Sequence, residues 1–237
     1  MRRPEVDLAS ADSVVRHLIA GGSLRARVGE FALAVVDAHA MIHRFASDHG
    51  WRAHIRVPLC ASVRVCETQD ALRHAIRSEA GELGEYPPAD GLSAGVCSGC
   101  LMAVSPEEYE RIWPEYGRVA GAWTRLLAHE MAHELHARVA GAEELMGPRW
   151  FYEGFALHAA GQRMGQVVTT AGAAADAMRA GSRGAYAKYA AAFEFFHRHV
   201  TLDVLVRRAS EADFEDWLVA MCGAESRAGH QSPGRGR

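Results

Sequence analysis

Four residues in this chain are of the right type and spacing to do hydrolytic chemistry together. Leu126-Leu127-Ala128-His129-Glu130-Met131-Ala132-His133-Glu134-Leu135-His136 contains His-Glu-x-x-His. On a helix, residues four apart share a face, so the His129 and His133 imidazoles can hold one Zn²⁺ while Glu130 stands beside it as a general base. The pattern alone is weak in a chain of 237 residues with 13 histidines, so its surroundings must carry the inference. Trp123, Leu126, Leu127, Met131 and Leu135 flank it, which predicts a buried helix. Two imidazoles on a buried face are costly unless something satisfies them, and a metal would. A second segment follows, Trp150-Phe151-Tyr152-Glu153-Gly154-Phe155-Ala156, with Glu153 as an isolated acid in an apolar helix. A carboxylate buried that way needs a cation. His129, His133 and Glu153 would make three ligands with a fourth position open to water, the arrangement of a catalytic zinc.

These two motifs resemble the gluzincin zinc metallopeptidases, most closely the peptidase MA-like families. Those enzymes take two His from one helix and a Glu from the next, and 19 residues separate His133 from Glu153 (153 − 133 − 1 = 19). The likeness covers roughly residues 60–205, and beyond the two motifs it is loose. It implies a zincin-like α+β fold: a small N-terminal mixed-sheet lobe, then a helical lobe carrying the active-site helix. It also implies peptide-bond hydrolysis through a zinc-bound water activated by Glu130, with an oxyanion donor on a later helix. Tyr186 is the first candidate for that donor and Tyr189 the second, both in Ala185-Tyr186-Ala187-Lys188-Tyr189. The chain departs from relatives in this clan at several points. Tyr152 stands where the aminopeptidases commonly have Asn, and no Gly-x-Met-Glu-Asn element is present. Leu157 stands where thermolysin-like enzymes place an acid, and Val139 excludes the metzincin pattern.

Other candidate groups have blander readings. His136 could be an additional contact near the metal, but a partly exposed helix histidine is the simpler expectation. His158 falls off the Glu153 face and reads as structural. Cys97-Ser98-Gly99-Cys100 is a lone Cys-x-x-Cys, better read as a hairpin turn than as a redox or zinc site. A structural zinc would need a fourth protein ligand, from His136 or a cysteine. A zincin-fold module that binds peptide or protein without cleaving it is the alternative function, and the intact Glu130 argues against it.

The elements that must position these residues follow from periodicity and punctuation. A short helix is expected over Ser13–Ala20 and a longer one from about Gly29 to Asp48, where Phe31, Val35, Ala38 and Ile42 recur at helical spacing. His54–Pro58 and Ser62–Cys66 read as strands. Thr68 caps a helix with apolar positions Ala71, Leu72 and Ile76. Residues 81–91 read as loop, and Leu92–Val104 as a hairpin turning at Ser98-Gly99. Ser105-Pro106-Glu107-Glu108 is a helix start. Helices are expected near 117–139, 149–163, 168–180, 184–199 and 212–222. A sheet lobe over about 1–115 therefore precedes a helical lobe over about 116–228 in one domain, with residues 229–237 a frayed tail. The strand ending near Val104 could hold an extended peptide substrate by strand addition.

Composition bounds the partners. Lys plus Arg is 26 and Asp plus Glu 29, so the net charge is 26 − 29 = −3, which gives no footprint for nucleic acid. No apolar run approaches a membrane span, and the N-terminus has no apolar signal core. Five scattered cysteines, an odd number, favour a reducing cytoplasm.

Overall fold

The computed structural model describes residues 15–80, 91–162, 164–180 and 185–228. The expected frayed tail at 229–237, most of the 81–91 loop and Gly181 lie outside these residues. The chain divides into two compact units, residues 1–135 with 159–162 and residues 136–158 with 163–237. The division falls inside one continuous helix.

The first unit is built on a four-stranded mixed sheet of β1 (Leu18–Ala20), β2 (Ser62–Cys66), β3 (Ala94–Cys97) and β4 (Cys100–Val104). The strand order is β1-β2-β4-β3. β1 and β4 pair parallel with β2, through Leu18↔Val63 and Val63↔Leu101, while β3 and β4 form an antiparallel hairpin. Parallel neighbours need crossovers, and two helices supply them: α1 (Val28–Asp48) between β1 and β2, and α2 (Gln69–Ala80) between β2 and the hairpin. Phe31, Val35, Ala38, Ile42 and Ala46 are the buried face of α1, and Leu72, Ala75 and Ile76 that of α2. Ala71 is exposed, so Ala75 takes the core position expected for it. All five residues of β4 are buried, as a strand with neighbours on both edges should be.

Three local expectations are corrected. Leu18–Ala20 is a strand, not the end of a helix, because it pairs with β2, a partner more than 40 residues away. His54–Pro58 is not a strand: Arg52–Ile55 forms a 3₁₀ turn, and burial recurs at Trp51, Ile55 and Leu59, four apart, with Cys60 buried beside Leu59 and Val57 exposed. Helical spacing of burial is incompatible with the alternation of a strand. The third concerns β4, which lies between β2 and β3, so its backbone is engaged on both sides and it is not an edge for strand addition. Among the described residues the edges are β1 and β3.

The turn at Ser98-Gly99 is confirmed, with φ of 51° and 75°. Positive φ at both central residues is the two-residue hairpin turn that matches strand twist. Cys97 and Cys100 face each other across it as free thiols.

Ser105 then caps α3 (Pro106–Ile112) by accepting from the Glu108 amide. A single turn, α4 (Pro114–Gly117), leads to α5 (Ala122–Ala140), which carries both histidines of the motif. The second unit adds α6 (Arg149–Ala159), α7 (Ala171–Met178), α8 (Tyr186–His197), α9 (Leu202–Arg208) and α10 (Phe214–Ala228). No element is expected from the sequence at α9, although its buried residues Leu202, Leu205 and Val206 fall at helical spacing. The architecture is mixed α+β, and among the described residues no helix is long and apolar enough to cross a membrane.

Candidate metal centre

The sheet positions α5. At its first turn Trp123 donates from Nε1 to the carbonyl of Val104, at 2.7 Å, and packs against Phe31 of α1 with ring centroids 5.4 Å apart. Leu127, Ala128, Met131, Ala132 and Leu135 are buried below it. The helix is therefore pinned to the end of β4 by one directional bond and held along its length by apolar burial.

His129 and His133 stand one turn apart on this helix, with ring planes at 86° and centroids 4.7 Å apart. Their Nε2 atoms converge to 3.0 Å. On the far side of the His129 ring, Nδ1 lies 3.0 Å from Oε1 of Gln162. An amide oxygen only accepts, so Nδ1 carries the proton and Nε2 presents its lone pair. That is the tautomer a metal requires, held by an outer-shell partner. Gln162 carries no signal in the sequence, because it follows the second helix rather than sitting in either motif.

Glu153 occupies the middle of α6 and is buried, as its apolar surroundings predict. Trp150 anchors that helix by donating from Nε1 to Glu215 at 2.6 Å. Gly154 permits a close helix contact. A Cβ there would lie 2.6 Å from the Phe193 Cβ and 3.0 Å from the Tyr189 carbonyl oxygen, both on α8. One ligand atom each from His129, His133 and Glu153 lies within 4.8 Å of the others, so this group could hold a metal ion. Two imidazole nitrogens and a carboxylate oxygen are a donor set suited to a divalent first-row cation.

Glu130 is half-buried on α5. It adds to the effect of burial on Tyr109 of α3, whose phenol is pushed up to about 12 against the opposing charge of Arg125.

Around Glu153 the second unit places further polar groups. Arg149, one turn earlier on α6, brings Nε to 3.9 Å from Glu153 Oε1. Burial pulls the Arg149 guanidinium down, but Glu153, Tyr186, Tyr152 and Tyr189 together outweigh it and hold it firmly protonated. Burial is also the main cause that raises the Tyr152 phenol, reinforced by Glu153 and opposed by Arg149. Of the two expected tyrosines, Tyr189 is buried and its hydroxyl donates to the Ala180 carbonyl, so it is committed to joining α8 to the end of α7. Tyr186 is half-buried.

His136 departs from expectation. It is fully buried, stacked on Phe155 with centroids 4.3 Å apart and edge-on to Phe151. It lies outside the metal-binding group and belongs to an aromatic core. His158 is structural as expected, with Nδ1 2.5 Å from Glu194 Oε1 on α8.

Comparison of the chain with protein-family models, with curated proteins and with solved structures finds no match in any of the three.

Proposed function

We propose that this protein is a zinc-dependent peptidase of gluzincin type, with His129, His133 and Glu153 as the metal ligands and Glu130 as the general base. One observation carries the proposal: three side chains from two separate motifs, 20 residues apart at the nearest, bring their ligand atoms within 4.8 Å of one another. Coincidental helix histidines and a stray glutamate have no reason to converge. The orientation of His129 by Gln162 supports the same reading, since it prepares one nitrogen for a metal.

When bound, zinc would acidify water and polarise a carbonyl at this site. Glu130, next to His129 in the chain, accepts the proton from the attacking water and delivers it to the leaving amine. Tyr186 is the hydroxyl that donates to the oxyanion, because the Tyr189 hydroxyl is already committed to Ala180. An extended peptide substrate adds its backbone to the edge strand β3, since β4 is engaged on both sides. Five free cysteines, four of them buried, fit a cytoplasmic setting.

The test is hydrolysis of a mixed peptide library by the zinc-loaded protein, with wild type and Glu130→Gln compared. Cleavage by wild type, falling at least about 100-fold in the variant at equal zinc content, is the expected result. Zinc bound by both proteins with cleavage by neither makes the protein a peptide-binding module instead.

A further inference from the structure

Arg149 is a charged group that the hydrolytic scheme does not use. It opens α6 one turn before Glu153 and shares that residue's helix face. Among the described residues its one ion pair is the 3.9 Å approach of Nε to Glu153 Oε1, longer than a hydrogen bond. Among the described residues, no acceptor lies within hydrogen-bond reach of its five N–H donors. The side chain is 42% exposed, so a ligand can reach it from solvent. Tyr152 and Tyr186 stand close enough to influence its charge, and both are half-buried. The result is a permanent cation with vacant donors beside a metal-ligand carboxylate.

The remaining chemistry selects the ligand. A cation that takes up Glu153 leaves Arg149 without its counter-charge, so an anion is favoured there. A guanidinium fork fits a carboxylate in two parallel hydrogen bonds. Because the guanidinium sits one ionic contact from a ligand oxygen, a carboxylate it holds belongs to the residue next to the bond being broken. A residue of extended chain spans only about 3.3–3.6 Å.

We propose that Arg149 binds the C-terminal carboxylate of a peptide substrate, so that the enzyme removes the last residue of the chain. This rests on the peptidase reading above. The reaction is hydrolysis of the final peptide bond: water adds its hydroxyl to the acyl carbon, the C–N bond breaks, and the departing amino acid takes the proton. Arg149 itself exchanges no proton.

The decisive experiment measures equilibrium binding to the zinc-loaded full chain. The probe is benzylsuccinic monohydroxamate, whose hydroxamate stands for the scissile amide and whose carboxylate stands for the C-terminal one. Its carboxamide is the control. Wild type is expected to bind the acid at least tenfold tighter than the amide. Arg149→Gln is expected to bind the two equally, with unchanged zinc content, and Arg149→Lys to keep part of the preference. In turnover, the same ordering appears as a raised KM for free-acid peptides in Arg149→Gln. Equal binding of both probes by wild type, or a preference that survives in Arg149→Gln, overturns the assignment and leaves the peptidase reading intact. Tighter use of C-terminally amidated peptides ending in Asp shows an acidic side chain as the true ligand and also overturns it. No binding of either probe to protein that holds zinc overturns the peptidase reading and the assignment with it.

Discussion

Gln162 meets His129 on the side of the imidazole away from His133: Oε1 lies 3.0 Å from Nδ1, while Nε2 of the same ring lies 3.0 Å from Nε2 of His133. The amide thus decides which nitrogen faces His133. Removing it in Gln162→Leu leaves the ring free to flip or change tautomer. Zinc affinity, measured by competition with a chelator, is expected to fall about 10–100-fold. Gln162→Glu, which keeps the acceptor, should recover most of it. An unchanged affinity in the leucine variant would remove Gln162 from the site.

Gly154 sets the distance between α6 and α8. In Gly154→Ala the new methyl would meet Phe193 at 2.6 Å and the Tyr189 carbonyl at 3.0 Å, and a carbonyl cannot rotate away as a side chain can. We expect a loss of about 1–3 kcal/mol from overpacking. We also expect weaker zinc binding, because Glu153 rides on the displaced helix. Thermal melts with and without zinc separate the two effects. A variant as stable as wild type would show that the helices part easily here.

His136 provides a contrast to His129 and His133. Stacked on Phe155 and fully buried, it behaves as an aromatic ring of the core. In His136→Phe the stack is kept, so zinc content should stay at the wild-type value while stability changes by less than about 1.5 kcal/mol. Loss of zinc from this variant would make His136 a ligand after all.

Acid should weaken the second unit in two stages. Burial is the chief cause holding His197 below its ordinary 6.5, with the neighbouring His158 adding to it. The unfolded chain therefore takes up that proton first, and stability falls as pH drops below about 6.5. Glu194 is held below its ordinary 4.5 chiefly by its hydrogen bond with His158. Its contribution is present above that value and is lost as pH falls through the lower, folded-state value. Denaturant midpoints of the metal-free protein between pH 7 and pH 3 should decline through both windows. Glu194→Gln should flatten the lower one and, by removing a carboxylate that raises His197, deepen the upper one. A profile that is flat down to pH 4 would contradict the His197 assignment.

The parts of this molecule legible in its sequence are those set by local pattern. Phe31, Val35, Ala38 and Ile42 announce α1, Ser105-Pro106 announces α3, and Ser98-Gly99 announces the hairpin. The metal-binding group is legible for the same reason, since i,i+4 spacing on a helix and one isolated acid in an apolar segment are both short-range facts. What depends on distant partners is not. β1 is three residues long and exists only through its pairing with β2. Gln162 reaches His129 from 33 positions away. The position of β4 in the sheet interior follows from strand order, which periodicity does not encode. One miss had a readable signal: Trp51, Ile55 and Leu59 are spaced as a helical turn.

The most direct test of the central claim is the zinc content of the purified protein, by mass spectrometry, for wild type and for Glu153→Ala. Glu153 comes from a different helix and a different motif from the two histidines, so its contribution cannot be mimicked by a simple histidine tract. About one zinc per chain in wild type, sharply reduced in the variant, is the expected result. A wild-type protein that holds no zinc even after incubation with excess metal, or a variant that holds it equally well, would contradict the assignment of His129, His133 and Glu153 as one metal centre.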